Sequence, residues 1–361
     1  MTCKYHVYPP VRPAGYAGPM TTLSADRLRG LRLIAQLLAP SRARPFPAAP
    51  DIQITAAHML AMQAQNLRAG VTALGVRAGV TDLDIAALDD AGVVRSWSQR
   101  GTHHLLAAED VRWMTRLCTP RVQAASKKRR GGLGLSDDDV DTCRTALLAR
   151  LTAAPAPLPR SEAYLVFAEA GVDPDGGRGP HMLRHFGGEG EIIQGPRSIQ
   201  SAGTEGASGA GRSEDTFVLH DAVVSQPRDL TGEDALRELA VRYYRSRGPA
   251  TVKDLAWWSG LTLRDVRAAT ALALDTGAVV TVEAADGRTL HMADWQQDVA
   301  DAEVDSALGT PRDLPAFDEY LLGYTDRSDV MTDAVAAEVG PTKNGLFHAF
   351  HVENGTVTGR S

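Results

Sequence analysis

The strongest constraint on the fold lies in residues 234–295, where three amphipathic helical segments precede an Asp-Gly pair set between apolar runs. Pro249 stands at a helix start, Thr262 is a suitable N-cap residue, and Gly277 is a helix stop. Asp286-Gly287 accepts the positive φ angles that a two-residue hairpin turn requires. Three helices followed by a hairpin are the elements of a winged helix, a variant of the helix-turn-helix.

Looser copies of the same order occupy residues 54–114 and 137–221, and Asn354-Gly355 predicts one more hairpin near the end of the chain. We therefore predict an α+β protein with three tandem winged-helix domains and a small C-terminal β domain. The predicted divisions are a flexible N-terminal arm at 1–22, winged helix 1 at 23–126, winged helix 2 at 127–228 with a mobile Gly/Ser-rich loop at 197–215, winged helix 3 at 229–300, and a β-rich domain at 301–361.

Composition indicates an ordinary globular protein without a transmembrane helix. The chain is 43% hydrophobic and 23% charged, and no apolar run approaches about twenty residues. Its start is rich in Pro and Gly and lacks the apolar segment of a secretory signal, and Met20 is an alternative to Met1 as the natural start. Cys3, Cys118 and Cys143 are odd in number and lack ligand spacing, so we predict free thiols in a reducing cytoplasm, and no metal.

Charge is unevenly distributed along the chain. The formal net charge is −6, which by itself argues against a nucleic-acid partner. The stretch 112–130 nevertheless carries only basic charges, whereas 298–338 is dominated by acidic residues. A chain that is acidic overall can present one basic face to a polyanion. The basic residues of the first stretch are Arg112, Arg116, Arg121, Lys127, Lys128, Arg129 and Arg130.

Two glutamines, Gln63 and Gln65, follow an apolar helical phrase and stand two positions apart. On a helix such side chains diverge, whereas on an extended backbone they lie on the same side. The two glutamines are therefore either solvent-exposed polar residues without a specific role or a pair of hydrogen-bonding groups directed at one target. Without the flanking sequence, the first interpretation is favoured.

The flanking phrases resemble those of one family, the AlkZ-like winged-helix DNA glycosylases. They are LAMQAQNLRAG (60–70), RSWSQRGTHHLL (95–106), GPATVKDLAWWSGL (248–261), LPAFDEYLLGYTDRS (314–328) and PTKNGLFHAF (341–350). The resemblance extends from about Leu23 to the end of the chain. The sequence differs from the family pattern at Ser98 and Gln99, where apolar residues are usual. It also differs at the end of the chain, where a further strand is expected; a truncation of the gene or of the sequence is one explanation.

The resemblance implies an enzyme that removes bulky N7-alkylguanine adducts, including interstrand crosslinks, from duplex DNA. It implies a bacterial, monofunctional and monomeric protein without a cofactor, which protects its host from a genotoxic natural product. The family's Q-x-Q motif falls on Gln63 and Gln65 and supplies the catalytic side chains. Neutral amides are adequate because alkylation makes the departing base cationic, so that no general acid is needed.

Candidate DNA contacts follow from the same phrases. The phrase at 95–106 is predicted to form a hairpin that leads into a helix, and its residues 95–104 alternate as in a strand, with Arg100, Thr102 and His104 on one side. A nearly equal alternative is that Arg100 and His104 fix the hairpin against the helix that carries Glu109 and Asp110. The basic cluster at 127–130 is predicted to be a flexible linker that either binds phosphates or is only solvated. The full set of predicted DNA-binding residues is Arg68, Arg95, Trp97, Gln99, Arg100, Thr102, His103, His104, Lys127, Lys128, Arg129, Arg130, Lys343 and Asn344.

Other polar and aromatic residues have structural interpretations. Trp257 and Trp258 are predicted to pack in a core, and Asp318, Glu319 and Asp326 to form salt links, because no His or Cys lies at ligand spacing.

Two further functions compete with the glycosylase, since fold does not determine function. They are a winged-helix transcriptional regulator and a lesion-binding protein without catalytic activity.

Overall fold

Short polar side chains mark where several helices begin. Ser24, Asp51 and Asn66 each accept a hydrogen bond from a backbone N–H in the first turn of the helix that follows. Such caps satisfy N–H groups that have no partner inside the helix. Thr262 caps its helix in the same way, which confirms that prediction. Local sequence therefore marks where these helices start.

The computed structural model describes residues 21–46, 50–199 and 213–361, which fall into two compact units. We call Met1–Ile85 with Leu230–Ser361 the terminal unit, and Ala86–Asp229 the central unit. The first part of the terminal unit contains β1 (Thr22–Leu23), α1 (Ala25–Ala35), α2 (Ile52–Met59), β2 (Met62–Gln63) and α3 (Leu67–Ala78).

The remaining elements follow in chain order. The central unit contains α4 (Ala87–Asp90), β3 (Val93–Trp97), β4 (His103–Ala107), α5 (Val111–Cys118), α6 (Pro120–Lys127), α7 (Arg130–Leu133), α8 (Asp137–Ala153), β5 (Leu158–Pro159), α9 (Arg160–Glu169), α10 (Arg178–Gly188), β6 (Ile192–Ile199), β7 (Ser213–Leu219) and α11 (His220–Val223). The terminal unit resumes with α12 (Gly232–Arg247), α13 (Val252–Ser259), α14 (Leu263–Asp275), β8 (Val279–Ala284), β9 (Thr289–Ala293), α15 (Asp301–Leu308), β10 (Arg312–Leu314), α16 (Glu319–Leu322), α17 (Asp333–Val339), β11 (Phe350–Glu353) and β12 (Thr356–Arg360).

Two small sheets belong to the terminal unit. In one, β8 pairs antiparallel with β9 and parallel with β1; in the other, β11 pairs antiparallel with β10 and β12. Both predicted hairpins are confirmed, since Glu283 pairs with Thr289 across Asp286-Gly287 and Glu353 with Thr356 across Asn354-Gly355. Asn354 and Gly355 both have positive φ, as the turn requires. The three helices and hairpin predicted for 234–295 are all present.

The central unit has an antiparallel sheet in which its own strands follow the order β4-β3-β6-β7-β5. Helices α8, α9 and α10 pack on it through Leu147, Phe167 and Phe186, all of which are buried. The sheet thus holds the β3–β4 hairpin, which carries many of the predicted DNA-binding residues. The mixed α+β class is confirmed, and the division into three winged helices stays a prediction.

Three details differ from the sequence-based expectations. Thr22 belongs to β1 and not to a flexible arm, and residues 1–20 of the predicted arm lie outside the described residues. Of the predicted loop at 197–215, residues 197–199 and 213–215 belong to β6 and β7, and 200–212 lie outside the described residues. The third helix of the first copy is the single turn α4, because the chain before it turns through a positive φ at Asp82.

Two predictions about composition can be compared with the structure. Cys118 and Cys143 are buried free thiols, as predicted, and Cys3 lies outside the described residues. Across the described parts of the chain, no helix combines the length and the apolar character needed to cross a bilayer.

The interior of the terminal unit contains ion pairs as well as apolar side chains. Arg77 of α3 donates from both terminal nitrogens to Asp318, at 2.8 and 2.7 Å, and both side chains are fully buried. Arg77 also donates to Gln36 at 2.9 Å, and Gln36 in turn donates to the Tyr324 hydroxyl at 3.1 Å. This network joins α1, α3 and the start of α16, because a buried charge must find hydrogen-bonding partners.

Replacement of Asp318 by Ala should destabilise the terminal unit by about 3–5 kcal/mol, because it leaves the Arg77 charge buried without a counter-ion. Urea unfolding measures this loss. Asp301→Ala is the control, since Asp301 is 92% exposed in its ion pair with Arg27 and should cost less than about 1 kcal/mol. Equal losses in the two variants would contradict the assignment.

Candidate functional site

The Q-x-Q segment begins at a tight turn that ends α2. The Ala61 N–H donates to the Met59 carbonyl at 2.7 Å, around Leu60 with φ 62° and ψ −54°. This is a γ-turn with positive φ at its central residue, a rare conformation that costs about 1–3 kcal/mol for a residue other than glycine. The turn redirects the chain from the helix into β2, so the conformation of Gln63 depends on what holds the turn in place.

Burial alternates along the segment that follows. Met62 and Ala64 are buried, at 1% and 0% exposure, while Gln63 is half-buried and Gln65 is exposed. This alternation is what an extended backbone produces. Both glutamines thus lie on the same side of the segment, where Gln65 is exposed and Gln63 is only partly exposed.

Helix α3 packs closely behind the two glutamines. Asn66 caps this helix by accepting a hydrogen bond from the Ala69 N–H at 3.2 Å. A Cβ atom at Gly70 would lie 2.8 Å from the Ala64 Cβ and 3.0 Å from the Gln63 carbonyl oxygen. Glycine is therefore required there, and its absence of a side chain lets α3 support the backbone of the Q-x-Q segment.

An ion pair holds the segment from the other side. Arg247, at the end of α12, donates to the Met59 carbonyl at 2.9 Å and to the Ala61 carbonyl at 2.8 Å. It also pairs with Glu319 at 2.6 Å, and both side chains are buried. The remaining Glu319 oxygen accepts the backbone N–H of Gln63 at 3.0 Å. We call Arg247 and Glu319 the clamp.

The side-chain amide of Gln63 has no hydrogen bond to any other described residue, and its Oε1 is buried without a partner. A buried carbonyl oxygen without a donor costs about 1–3 kcal/mol. The molecule therefore holds an acceptor that a water or a ligand could satisfy.

In the central unit, residues 93–107 form the predicted hairpin, but 95–104 do not run as one strand with a single alternating face. Strands β3 and β4 pair through Trp97 and His103, and the chain reverses through Arg100 and Gly101, whose φ angles are 58° and 67°. The predicted grouping of Arg100, Thr102 and His104 on one face of a strand was therefore wrong, because left-handed conformations at Arg100 and Gly101 end β3 before these residues. Arg100 and Thr102 lie half-buried in this turn.

Three of the predicted DNA contacts on this hairpin are buried. Trp97, Gln99 and His104 are 8%, 0% and 0% exposed. The Trp97 ring stacks on Phe217 with centroids 6.1 Å apart, and a Cβ at Gly187 would lie 2.1 Å from this ring. These three side chains pack the hairpin onto the unit, which corrects their prediction as a surface for DNA.

Arg95 and His103 are also occupied within the unit. Arg95 donates to Gln194 at 2.6 Å and pairs with Asp215 at 3.3 Å. Burial, and then the charge of Arg95, lower the pKa of His103 to about 2. His103 is therefore neutral at physiological pH, and it cannot act as a cation toward a phosphate.

The basic cluster at 127–130 runs from the end of α6 through a turn at Lys128 and Arg129 to the start of α7, where the sequence predicted a flexible linker. Lys127 and Arg130 both pair with Asp137, at 2.7 and 2.6 Å, whereas Lys128 and Arg129 are exposed. The sequence did not reveal that two of the four cations of the cluster share Asp137 as a partner. In the terminal unit, Arg68 on α3 and Lys343-Asn344 in a turn are exposed, as DNA contact would require.

Arg184 on α10 is a cation that the sequence analysis did not identify. A Cβ at Gly101 would lie 2.4 Å from one of its terminal nitrogens, so the guanidinium covers the tip of the β3–β4 hairpin. It has no hydrogen bond or ion pair within the described residues, and its Nε is buried. Burial and the charge of Arg129 lower its pKa. Its signal in the sequence was weak, because one Arg in an amphipathic helix resembles a solvated residue.

Carboxylates that could suggest a metal have other partners. Asp318 pairs with Arg77 and Glu319 with Arg247, which confirms the predicted salt links. Asp326 instead accepts the Ser328 backbone N–H at 2.9 Å. Trp258 is fully buried, as predicted, and its indole N–H donates to Glu319 at 3.0 Å. In the described ranges no group of three or more His, Cys, Asp or Glu side chains has an arrangement suitable for a metal ion.

Comparisons with known proteins agree with this geometry. The profile of a family described as "DNA glycosylase AlkZ-like" matches residues 56–361. Among solved structures, a Streptomyces sahachiroi DNA glycosylase, AlkZ, is similar with a TM-score of 0.68 and 19% sequence identity. That match covers 93% of this chain and 87% of the other, and it shows a shared fold. A comparison with curated proteins finds no match.

The matched family profile spans the Q-x-Q segment, both residues of the clamp and the whole central unit. It includes every residue that the sequence analysis assigned to catalysis or to DNA binding. The chain therefore belongs to the AlkZ-like family of DNA glycosylases.

Proposed function

We propose that this DNA glycosylase hydrolyses the N-glycosidic bond of bulky N7-alkylguanine adducts in duplex DNA, including interstrand crosslinks. It acts as a monofunctional enzyme and as a monomer, and it protects its host from a genotoxic natural product. The single observation that supports the proposal is the Gln63–Gln65 pair on one side of an extended segment, with the Gln63 amide free of hydrogen bonds to other described residues.

The chemistry follows from the charge of the damaged base. Alkylation at N7 makes guanine cationic, so the electron pair of the breaking C1′–N9 bond neutralises the base as it leaves. No acid has to protonate the leaving group. The sugar passes through an oxocarbenium-like state, and a water oxygen forms the new bond to C1′ while its proton passes to solvent. The product is an intact strand with an abasic site.

Glutamine matches this limited requirement. Its amide offers one acceptor oxygen and two N–H donors, and it does not take up a proton near neutral pH. The Gln63 Oε1 accepts a hydrogen bond from the attacking water and places partial negative charge near the developing cation. Gln65, on the same accessible side, holds the same water or the adjoining sugar. Substrates with a neutral base, such as undamaged guanine, are excluded because nothing protonates them.

Contacts to the DNA backbone come from cations that lack an internal counter-ion. Arg184 and Arg129 meet this description among the residues the structure describes, and a phosphate near them would relieve their mutual repulsion. The exposed Arg68, Lys128, Lys343 and Asn344 remain predicted contacts, as do Arg100 and Thr102 in the hairpin turn. Arg95, Lys127 and Arg130 make a smaller contribution, because each already pairs with a carboxylate.

Replacement of Gln63 or Gln65 by Ala should slow excision by about 100-fold, because removal of one preorganised polar group has an effect of this order. The substrate is an end-labelled duplex with one bulky N7-alkylguanine. Single-turnover reactions are treated with hot alkali, which cleaves the strand at abasic sites, and are resolved on a denaturing gel. Without alkali the strand should stay intact.

Gln53→Ala is the matched control, since Gln53 is an exposed glutamine on α2, and it should excise at the wild-type rate. A double variant of Gln63 and Gln65 with unchanged excision would show that the pair is not catalytic. Binding without excision by the wild-type protein would indicate a lesion-binding protein or a regulator instead.

Arg184→Gln should weaken binding to the same duplex and reduce the slope of log Kd against log salt concentration by about 0.9, the value for one lost phosphate contact. Fluorescence anisotropy at several salt concentrations measures both. Arg150→Gln is the control, because Arg150 lies in the same unit and pairs with Glu162 at 3.3 Å. Identical slopes for the two variants would rule out a phosphate contact at Arg184.

A further inference from the structure

Arg247 has a hydrogen-bonding partner for every one of its N–H groups. Its Nε donates to Glu319 at 3.1 Å, one terminal nitrogen donates to the Met59 carbonyl and the Ser246 hydroxyl, and the other to the Ala61 carbonyl and Glu319. A guanidinium has five such groups in a fixed plane, whereas a lysine ammonium has three that rotate. The site therefore requires arginine for its geometry and not only for its charge.

The two carbonyls that Arg247 binds flank the strained residue. Met59 and Ala61 lie on either side of Leu60, the centre of the γ-turn. A planar group that binds both carbonyls at once fixes their separation and direction. Relaxation of Leu60 to a more common conformation would rotate at least one carbonyl away from the guanidinium. Arg247 thus stabilises the turn that sets the path of the chain into Gln63.

Glu319 extends the same contact to Gln63. Its Oε2 accepts from Arg247 and from the Trp258 indole at 3.0 Å, which fixes the carboxylate in two directions. Its Oε1 accepts the Gln63 N–H at 3.0 Å. The clamp therefore holds the backbone of Gln63, whose side-chain amide has no hydrogen bond to the other described residues.

We infer that Arg247 and Glu319 are positioning residues for the reaction, which act through Gln63 and do not contact the substrate. The inference rests on the proposed catalytic role of Gln63. A buried ion pair is by itself weak support for stability, since apolar side chains of similar volume often replace one without loss. What distinguishes this pair is that both members bind the backbone at or next to the Q-x-Q segment.

Glu319→Gln tests the inference, because the new amide has nearly the same shape but only one acceptor oxygen for the donors around it. Single-turnover excision should fall about tenfold to 100-fold, as displacement of a reacting group by about 1 Å can cost 100-fold. The Kd for the lesion duplex should stay within about twofold of the wild type, since the clamp is buried.

Asp318→Asn is the matched control. Asp318 is the neighbouring residue, forms an equally buried ion pair with Arg77, and does not contact the Q-x-Q segment in any of its hydrogen bonds among the described residues. It should lose similar thermal stability and keep its excision rate within about threefold of the wild type. Equal excision rates for Glu319→Gln and Asp318→Asn would overturn the inference.

A double-mutant cycle separates positioning from general damage to the fold. If Glu319 acts through Gln63, the combination of Gln63→Ala with Glu319→Gln should be no slower than Gln63→Ala alone, within about twofold. Multiplied losses would indicate independent effects and contradict the inference. Normal excision by Gln63→Ala would instead refute the proposed function itself, which is a different outcome.

Trp258→Phe serves where Glu319→Gln does not fold. It removes one donor to Glu319 and keeps most of the apolar contact. We expect a loss of about threefold to tenfold in excision rate, which again disappears in the Gln63→Ala background. A rate equal to the wild type in the folded Trp258→Phe protein would overturn the inference as well.

Discussion

A buried ion pair between Arg247 and Glu319 is the interaction on which the candidate site of the terminal unit depends. Because neither charge reaches solvent, each must be satisfied by protein groups. The guanidinium meets this requirement only if two carbonyls flank it in its plane, and those carbonyls belong to the γ-turn after α2. The hydrogen bonds of Arg247 and Glu319 therefore connect the ends of α2 and α12, the start of α16 and the backbone of Gln63.

The family and the geometry support different parts of the functional argument. Membership of the AlkZ-like glycosylases establishes the type of enzyme and its DNA substrate. The residues around Gln63 support the narrower proposal about the lesion, since neutral amides can assist only a base that already leaves readily. In the central unit, the burial of Trp97 and His104 removes two candidate contacts, and Arg184 provides a different one.

Sequence patterns predicted elements whose geometry depends on adjacent residues. The hairpins at Asp286-Gly287 and Asn354-Gly355 and the helix capped by Thr262 are confirmed, since turn and cap preferences act over a few residues. Side chains at 95–104 alternate as in one strand, but these residues belong to two strands joined by a turn at Arg100-Gly101. The pattern therefore could not show which of these side chains share a face. The sequence at 127–130 predicts a flexible linker, because a Gly-rich segment follows the basic residues. Asp137, which pairs with Lys127 and Arg130, lies beyond that segment.

By itself the sequence determined the α+β class and the local hairpins and helix starts. Through its resemblance to a family it also predicted a catalytic role for Gln63 and Gln65. Tertiary structure alone decided which charged residues act together. Arg247 lies 72 positions before Glu319 in the sequence. It lies more than 180 positions after Met59 and Ala61, whose carbonyls it binds. No local pattern records such contacts, because the free energy that selects them arises only when distant segments exclude water from the same charges.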